Sequence, residues 1–589
     1  MTSGIIFSSL TNLRLLLAPS EKRRGAILFF LLLINSFLDV FGLAALVPVI
    51  MVASNPKSVL ESKYFFTVYQ YFNYNSEVSF ITHLIIFVFV FFLIKNLYST
   101  WTSYLQTEFT ADVSMTLIER QMTKYLNLPF WYFNDLGSSN IANFVIGIPA
   151  NYVTGILRPL LLFLSEVIVI TIIVVGIVVY KPVLLFILGI VLVPTAILTY
   201  RALRARSFAI GNRMNDLRPV VGARQLDLFI GYAELKLANK LEHFRTRITS
   251  GQREIQKLDA EAYLYAQLPL KVIELVAILG VVTILLYALH FTKGASGLIG
   301  LVGLFAAAAY RLMPSINRML TALMQIKQHQ YAIHHLGTYE EPHFNEGLYP
   351  QQLPLTFNDS IKFEQVGFTF PHEKKPALSG ITLRINKGER VGFIGSSGAG
   401  KTTLMNLLLR FYREQEGCIR IDGQPLTPQH LQAWHRLVGY VKQDAFLMEA
   451  SIKDNITLDD PNPDQQRLEY ALEQASLRSF VDGLPNGVDT FIGERGSKLS
   501  GGQRQRIGIA RALYKQMKVL VLDEATSALD NETEREVNEA INKLSSTDIT
   551  ILIIAHRITT LRECNRIYEL SGGQLIGEHQ YEDLIRQAV

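Results

Sequence analysis

Arg390-Val391-Gly392-Phe393-Ile394-Gly395-Ser396-Ser397-Gly398-Ala399-Gly400-Lys401-Thr402-Thr403 decides how the C-terminal part of this 589-residue chain folds. Val391 to Ile394 is a short apolar run that reads as a buried strand, and Thr403 to Arg410 is a helical run. Between them, Gly395 to Thr402 fits G-x-x-x-x-G-K-[ST] in the strand–loop–helix context that the motif requires. Glycines let backbone N–H groups wrap phosphates, and a helix N-terminus adds partial positive charge. The expected triphosphate cradle is Gly395, Ser396, Ser397, Gly398, Ala399, Gly400, Lys401, Thr402 and Thr403. Lys401 is expected to reach the β- and γ-phosphates and the Thr402 hydroxyl to ligate Mg²⁺.

Downstream, Val519-Leu520-Val521-Leu522-Asp523-Glu524 reads as a buried strand ending in two acids. At a strand's C-terminal edge these face the phosphates. Asp523 is expected to hold Mg²⁺ through water, and Glu524 to polarise the attacking water as general base. Leu499-Ser500-Gly501-Gly502-Gln503 places two glycines before a helical run and makes a second anion-binding helix start. One nucleotide does not need two cradles from one domain, so the second is expected to serve a nucleotide held by another copy.

With this motif between phosphate loop and acidic strand, the chain resembles the ATP-binding cassette (ABC) family. The resemblance implies ATP as the nucleotide, with Ser500, Gly501, Gly502 and Gln503 contacting it across a homodimer. It also implies that Gln443 senses the γ-phosphate and Mg²⁺, that Phe370 stacks on adenine, and that His556 is the switch histidine. Ser527-Ala528-Leu529-Asp530 resembles the loop that communicates across the dimer, and Glu494 the coupling glutamate of exporters. Lys442 departs from the pattern, since a proline commonly precedes the glutamine.

Outward from the cassette the composition changes. The domain is expected over residues 361–589, preceded by a linker of Pro, Asn, Glu and Gly character over 337–360 and a membrane domain over 1–336. Of the whole chain 49% is apolar and only 18% charged, with a mean hydropathy of +0.23. That is too apolar for an ordinary soluble chain and excludes intrinsic disorder. Lys plus Arg is 56 against 51 acids, a surplus of +5 that does not suggest a nucleic-acid groove binder. The two cysteines, Cys418 and Cys564, cannot make a disulfide framework or a multi-cysteine metal site.

Six stretches read as membrane spans: Gly25 to Val52, Phe80 to Tyr98, Ile156 to Tyr180, Pro182 to Tyr200, Ala266 to Phe291, and Gly297 to about Leu323. The first is too long for a cleavable leader. Lys22, Arg23, Arg24, Arg201, Arg204, Arg206, Arg213 and Arg218 fall on one side, which predicts cytoplasmic termini. Ile5 to Leu17 is expected to lie along the interface as an elbow helix. The fold class expected is a polytopic six-helix membrane domain fused to a cytosolic α/β P-loop ATP-binding cassette.

Six spans before one cassette resemble the half-transporter of ABC exporters. The resemblance implies an ATPase coupled to transport, a homodimer, an inner-membrane location, and coupling segments at Leu128 to Asn143 and Leu226 to Phe244. Polar residues at membrane depth are functional candidates. Lys95, Lys271 and Arg311 are the candidate substrate residues, with Asp39, Arg158, Glu166 and Glu274 also in or near the spans. Cations in a shared cavity suit an anionic head group; internal ion pairing, such as Lys271 with Glu274, is the alternative. Tyr310 to Arg318 resembles the sixth span of the lipid-linked oligosaccharide flippases of this family. The aromatic loop Ser54 to Ser76 is similar to their short external helix, or is an interfacial belt. The resemblance thus implies a lipid-linked oligosaccharide or related anionic glycolipid as substrate, with a drug or amphipathic peptide exporter as the alternative.

Overall fold

The computed structural model describes residues 5–54, 56, 58–61, 63–74, 76–128, 130, 133, 136–180, 182–291, 296–337, 353–371, 373–523, 531–544, 548–555 and 557–588. The chain divides into two compact units, Met1–Leu126 with Leu136–Pro342, and Asn127–Asp135 with His343–Val589. Of the expected linker, residues 338–352 lie outside the described residues.

The first unit is built of helices joined by short turns, with no strand among its described residues. Every expected span falls on a helix: Pro19–Ser54, Glu77–Leu126, Arg158–Tyr180, Pro182–Ile230, Leu241–Phe291 and Ser296–Gln328. Among the described residues, four helical stretches are long and apolar enough to cross a membrane: Pro19–Gly42, Glu77–Leu126, Ser138–Val179 and Leu241–Val282. In the other two spans the side chains of residues 182–188 and 297–311 lie outside the described ones.

The 50 residues of Glu77–Leu126 reach about 75 Å at 1.5 Å per residue, far more than about 30 Å of hydrocarbon needs. Pro182–Ile230 and Leu241–Phe291 are as long, and ion pairs join their polar halves. Arg206 meets Glu261 at 2.9 Å and Arg213 meets Glu254 at 2.8 Å. These pairs are exposed and hold register more than they add stability.

Close packing of the helices is written in small residues. A Cβ on Gly211 would sit 1.6 Å from the Gln328 carbonyl oxygen, so Pro182–Ile230 and Ser296–Gln328 touch backbone to backbone. The elbow helix Ile5–Leu16 forms, leaving Phe7, Leu10 and Leu15 exposed while Leu13, Leu16 and Leu17 join a buried cluster with Leu117, Tyr152 and Ala332.

The second unit holds two sheets. One is antiparallel, ordered β2-β1-β4-β5, from β1 Ser360–Phe368, β2 Leu378–Asn386, β4 Glu416–Ile421 and β5 Gln424–Pro425. The other is ordered β10-β9-β3-β8-β7-β6, from β3 Arg390–Ile394, β6 Val438–Val441, β7 Val519–Asp523, β8 Thr550–Ile554, β9 Arg566–Ser571 and β10 Gln574–His579. Strands β9, β3, β8, β7 and β6 are parallel neighbours, and β10 pairs antiparallel at the edge. Their near-continuous apolar runs follow from burial on both faces. The parallel register ends β3, β8 and β7 side by side, so the loops after Ile394, Ile554 and Asp523 emerge at one edge.

Candidate functional site

The loop after β3 takes backbone shapes that only glycine holds cheaply. Gly395, Gly398 and Gly400 have φ of 144°, 80° and 102°. A Cβ on Gly395 would lie 2.2 Å from the Leu570 carbonyl oxygen, whereas nothing lies within 4 Å of one on Gly398. The loop is therefore wedged at its start and open at its crest, where Ser396, Ser397 and Gly398 are exposed. Helix Lys401–Leu408 follows, and the Lys401 ammonium folds back into the loop. Its Nζ donates to the carbonyls of Gly395 at 2.8 Å and Ser396 at 3.1 Å while the side chain is buried. An open N–H cradle with a buried ammonium at its base fits a triphosphate, and the Thr402 hydroxyl and Asp523 carboxylate are oxygen ligands that fit Mg²⁺.

Strand β7 delivers Asp523 to the same edge, where the Tyr440 hydroxyl of β6 donates to Asp523 Oδ2 at 3.0 Å. Burial and the neighbouring Asp523 carboxylate push the Tyr440 hydroxyl far above its ordinary range, so it stays a proton donor. Glu524, Ser527 to Asp530 and His556 lie outside the described residues; β7 ends at Asp523 and Ala555 follows the last residue of β8. Gln443 is exposed two residues beyond β6.

The second cradle is a helix start with its own cap. The Ser500 hydroxyl accepts from the Gln503 backbone N–H at 3.2 Å, and Gln503 Oε1 accepts from the Ser500 N–H at 2.9 Å. This reciprocal pair opens the 14-residue helix Gly501–Tyr514. One turn in, buried Gln505 donates to the main-chain carbonyls of Lys442, at 3.1 Å, and Gln443. The helix that Ser500 opens therefore grips the turn that carries Gln443. Phe370 stands edge-on to Phe368 at 5.1 Å and to Tyr412 at 5.5 Å, in an aromatic corner.

Segment Asn127–Asp135 belongs to this unit. Phe130 stacks on Phe411 with centroids 4.7 Å apart, and Lys442 Nζ lies 5.7 Å from the Phe130 centroid and 5.8 Å from that of Tyr440. Tyr440, Gln505 and Phe411 are additions to the residues expected from sequence. Beside them lies a cavity of about 510 Å³, lined by Phe411, Gly439, Tyr440, Arg467, Arg511 and Lys515.

Residues 378–527 match the family model described as ABC transporter. The chain carries an ABC transporter domain. The chain is 45% identical over 228 residues to the ATP-dependent lipid A-core flippase of Ralstonia nicotianae, an alignment that spans 38% of this chain and 38% of that relative. A longer match, 29% identical over 505 residues, spans 84% of this chain and 83% of the protein of the same name from Bordetella avium. A solved bacterial Atm1-family ABC exporter with ATP bound superposes with a TM-score of 0.80 at 22% identity, covering 96% of this chain and 97% of that one. The fold is therefore that of an ABC exporter, a helical domain of apolar spans followed by an ATP-binding ABC domain, and the chain is a multi-pass membrane protein.

Two of the candidate substrate residues, Lys95 and Lys271, are ion-paired. Lys95 Nζ pairs with Asp39 Oδ1 at 2.6 Å, linking helices Pro19–Ser54 and Glu77–Leu126. Lys271 pairs with Glu274 of its own helix at 3.3 Å, with both side chains mostly exposed. The Arg311 side chain lies outside the described residues. Nearby in sequence, Arg318 makes a two-point contact with buried Glu166, joining Arg158–Tyr180 to Ser296–Gln328. In the aromatic loop, helix Lys63–Tyr71 packs Phe65 and Tyr69 against Phe80 while Phe66, Tyr71 and Phe72 stay exposed.

Proposed function

We propose that the protein is a homodimeric, ATP-hydrolysing flippase for a membrane lipid with an anionic saccharide head group. The observation that carries this reading is the 505-residue match to a lipid A-core flippase, which extends beyond the ABC domain into the helical one. The ABC domain binds ATP in the Gly395 to Thr403 loop. Phe370 stacks on the base, Lys401 leaves its two carbonyl partners for the β- and γ-phosphates, and Ser500 to Gln503 of a second copy close the site. Thr402, Gln443 and, through water, Asp523 would hold Mg²⁺, which would neutralise charge on the phosphates. Glu524 orients and deprotonates the attacking water, and His556 holds the γ-phosphate. ATP binds the closed pair of domains more tightly than the open pair, which is the differential affinity that alternating access needs. The segments Leu128 to Asn143 and Leu226 to Phe244 pass this to the helices, with the ABC domain and both termini in the cytoplasm of a bacterial inner membrane.

In the cavity, Arg311 is the leading contact for the phosphates of the head group. Lys95 and Lys271 carry carboxylate partners and would have to exchange them for the lipid anion. A lipid-linked oligosaccharide on a polyprenyl pyrophosphate and a lipid A-type saccharolipid share this chemistry.

The test uses proteoliposomes loaded in parallel with a fluorescent polyprenyl-pyrophosphate oligosaccharide or a fluorescent lipid A-core glycolipid. ATP-dependent change in the head group's accessibility to an external glycan-modifying reagent is followed for the wild type, Glu524→Gln and Arg311→Ala. Movement that Glu524→Gln stops, and that Arg311→Ala slows while hydrolysis continues, supports the reading. A preparation that hydrolyses ATP and moves neither lipid overturns the substrate class and favours a drug or amphipathic peptide exporter.

A further inference from the structure

We infer that Lys442 is a positioning residue that ties the nucleotide site to Phe130, through its side chain on the Phe130 and Tyr440 rings and its main chain on the signature helix. The inference rests on the proposed ATP-driven movement and adds the residue through which this chain passes it on.

Three contacts converge on Lys442. Its ammonium lies 5.7 Å from the Phe130 centroid and 5.8 Å from the Tyr440 centroid, both within cation–π range. The same Tyr440 donates its hydroxyl to Asp523 at 3.0 Å, so the ring that carries the cation is anchored to a carboxylate placed to serve Mg²⁺. The main-chain carbonyl of Lys442 accepts from Gln505, on the helix that Ser500 and Gln503 open. One residue therefore touches the β6 tyrosine bound to the acid, the signature helix and the segment that continues helix Glu77–Leu126.

The chemistry of each end makes the junction responsive. Hydrated Mg²⁺ held by Asp523 would compete with Tyr440 for the carboxylate oxygens, and the Tyr440 ring would shift with its hydroxyl. The ring face is what Lys442 rides on. Phe130 also stacks on Phe411 with centroids 4.7 Å apart, so it has an apolar stack to pivot on and a cation to follow. Proline at position 442 could supply neither the charge nor the reach. Arginine could supply both, because a guanidinium also stacks on aromatic faces.

The test is hydrogen exchange on the full-length protein in lipid nanodiscs, with and without Mg·ATPγS, read on peptides covering residues 127–135. The variants are Lys442→Met, Lys442→Arg, Phe130→Leu and the double Lys442→Met/Phe130→Leu, and binding of a fluorescent ATP analogue is measured in each. The wild type is expected to change exchange of the segment on adding nucleotide. Lys442→Met should shrink that change by about two- to tenfold, the factor set by one cation–π contact, with nucleotide affinity held. Lys442→Arg should retain most of it, and the double variant should be no worse than either single one.

A full nucleotide-dependent change in Lys442→Met, or losses that multiply in the double variant, would overturn the inference. So would a wild type whose segment ignores nucleotide; the lipid-movement assay then judges the flippase reading separately.

Discussion

Lys95 and Asp39 form an ion pair of 2.6 Å between two membrane helices, Pro19–Ser54 and Glu77–Leu126, with the ammonium also 5.6 Å from the Phe92 ring. A charge in hydrocarbon without a partner is expensive, whereas two neutral groups in its place cost little. Asp39→Asn and Lys95→Met should each destabilise by about 1–3 kcal/mol, less than for a fully buried pair because the Asp39 side chain is 32% exposed. The double variant should recover most of the loss. Thermal unfolding of the four proteins in one lipid mixture checks this; additive losses would mean that the two side chains act independently.

Ser500 has two duties that substitutions can separate. It caps helix Gly501–Tyr514, and in the proposed dimer it also faces the γ-phosphate of a second copy. Ser500→Ala should lower stability by about 1 kcal/mol through the lost cap. Ser500→Asp keeps a cap acceptor and should hold the unfolding temperature, yet its carboxylate repels the triphosphate and should lower hydrolysis by about tenfold or more. If Ser500→Asp hydrolyses ATP at the wild-type rate, the signature helix is not closing on phosphate.

His435 gives the ABC domain a pH dependence with a definite sign. It is half-buried, and its Nε2 donates to the Leu409 carbonyl at 2.9 Å. Burial lowers its pKa below the ordinary 6.5; the hydrogen bond to Leu409 acts against this and Lys515 with it. The unfolded chain then binds the proton more readily, so His435 adds stability above about pH 6.5 that is lost as pH falls toward and through its folded pKa. His335 and His329 are shifted the same way, mainly by burial. Unfolding temperature should therefore fall on acidification from about pH 7.5 to about pH 5.5, and His435→Gln should make that fall shallower. An unchanged slope in His435→Gln would show that its protonation is not linked to folding.

What was legible in the sequence was local. The phosphate loop at Gly395 to Thr402 and the strand before Asp523 announce themselves because one short segment contains the whole requirement, whether glycine torsions or an unbroken apolar run. The spans are legible for the same reason, since hydrocarbon thickness sets a length that one segment must meet. Lys271 with Glu274 was readable too, as helix geometry puts residues three apart on one face.

Pairs that depend on register between distant segments were not. Lys95 meets Asp39 across two helices, and Tyr440 meets Asp523 only because β6 lies beside β7 with Tyr440 opposite Val521. The one available signal was Lys442 in a place where proline is usual, and its aromatic partners Phe130 and Tyr440 give that departure a physical use.

The contact of Gly211 with Gln328 leads to a sharper stability prediction. Here the two backbones approach so closely that any side chain at 211 meets a carbonyl oxygen that cannot rotate away, 1.6 Å from where the Cβ would stand. Relief requires helices Pro182–Ile230 and Ser296–Gln328 to part, and overpacking of this kind costs about 1–3 kcal/mol or more. Gly222 is on the same helix, and a methyl group added there would have nothing within 4 Å, so it is the matched control. There the change to alanine removes only glycine's conformational freedom and should be neutral, or stabilising by up to about 1 kcal/mol. Unfolding temperatures of Gly211→Ala and Gly222→Ala should thus move in opposite directions or differ clearly. Gly211→Ala should also slow transport more than hydrolysis, because helix Ser296–Gln328 carries Arg311. Equal unfolding temperatures for the two variants would mean that the helices separate at this point without cost.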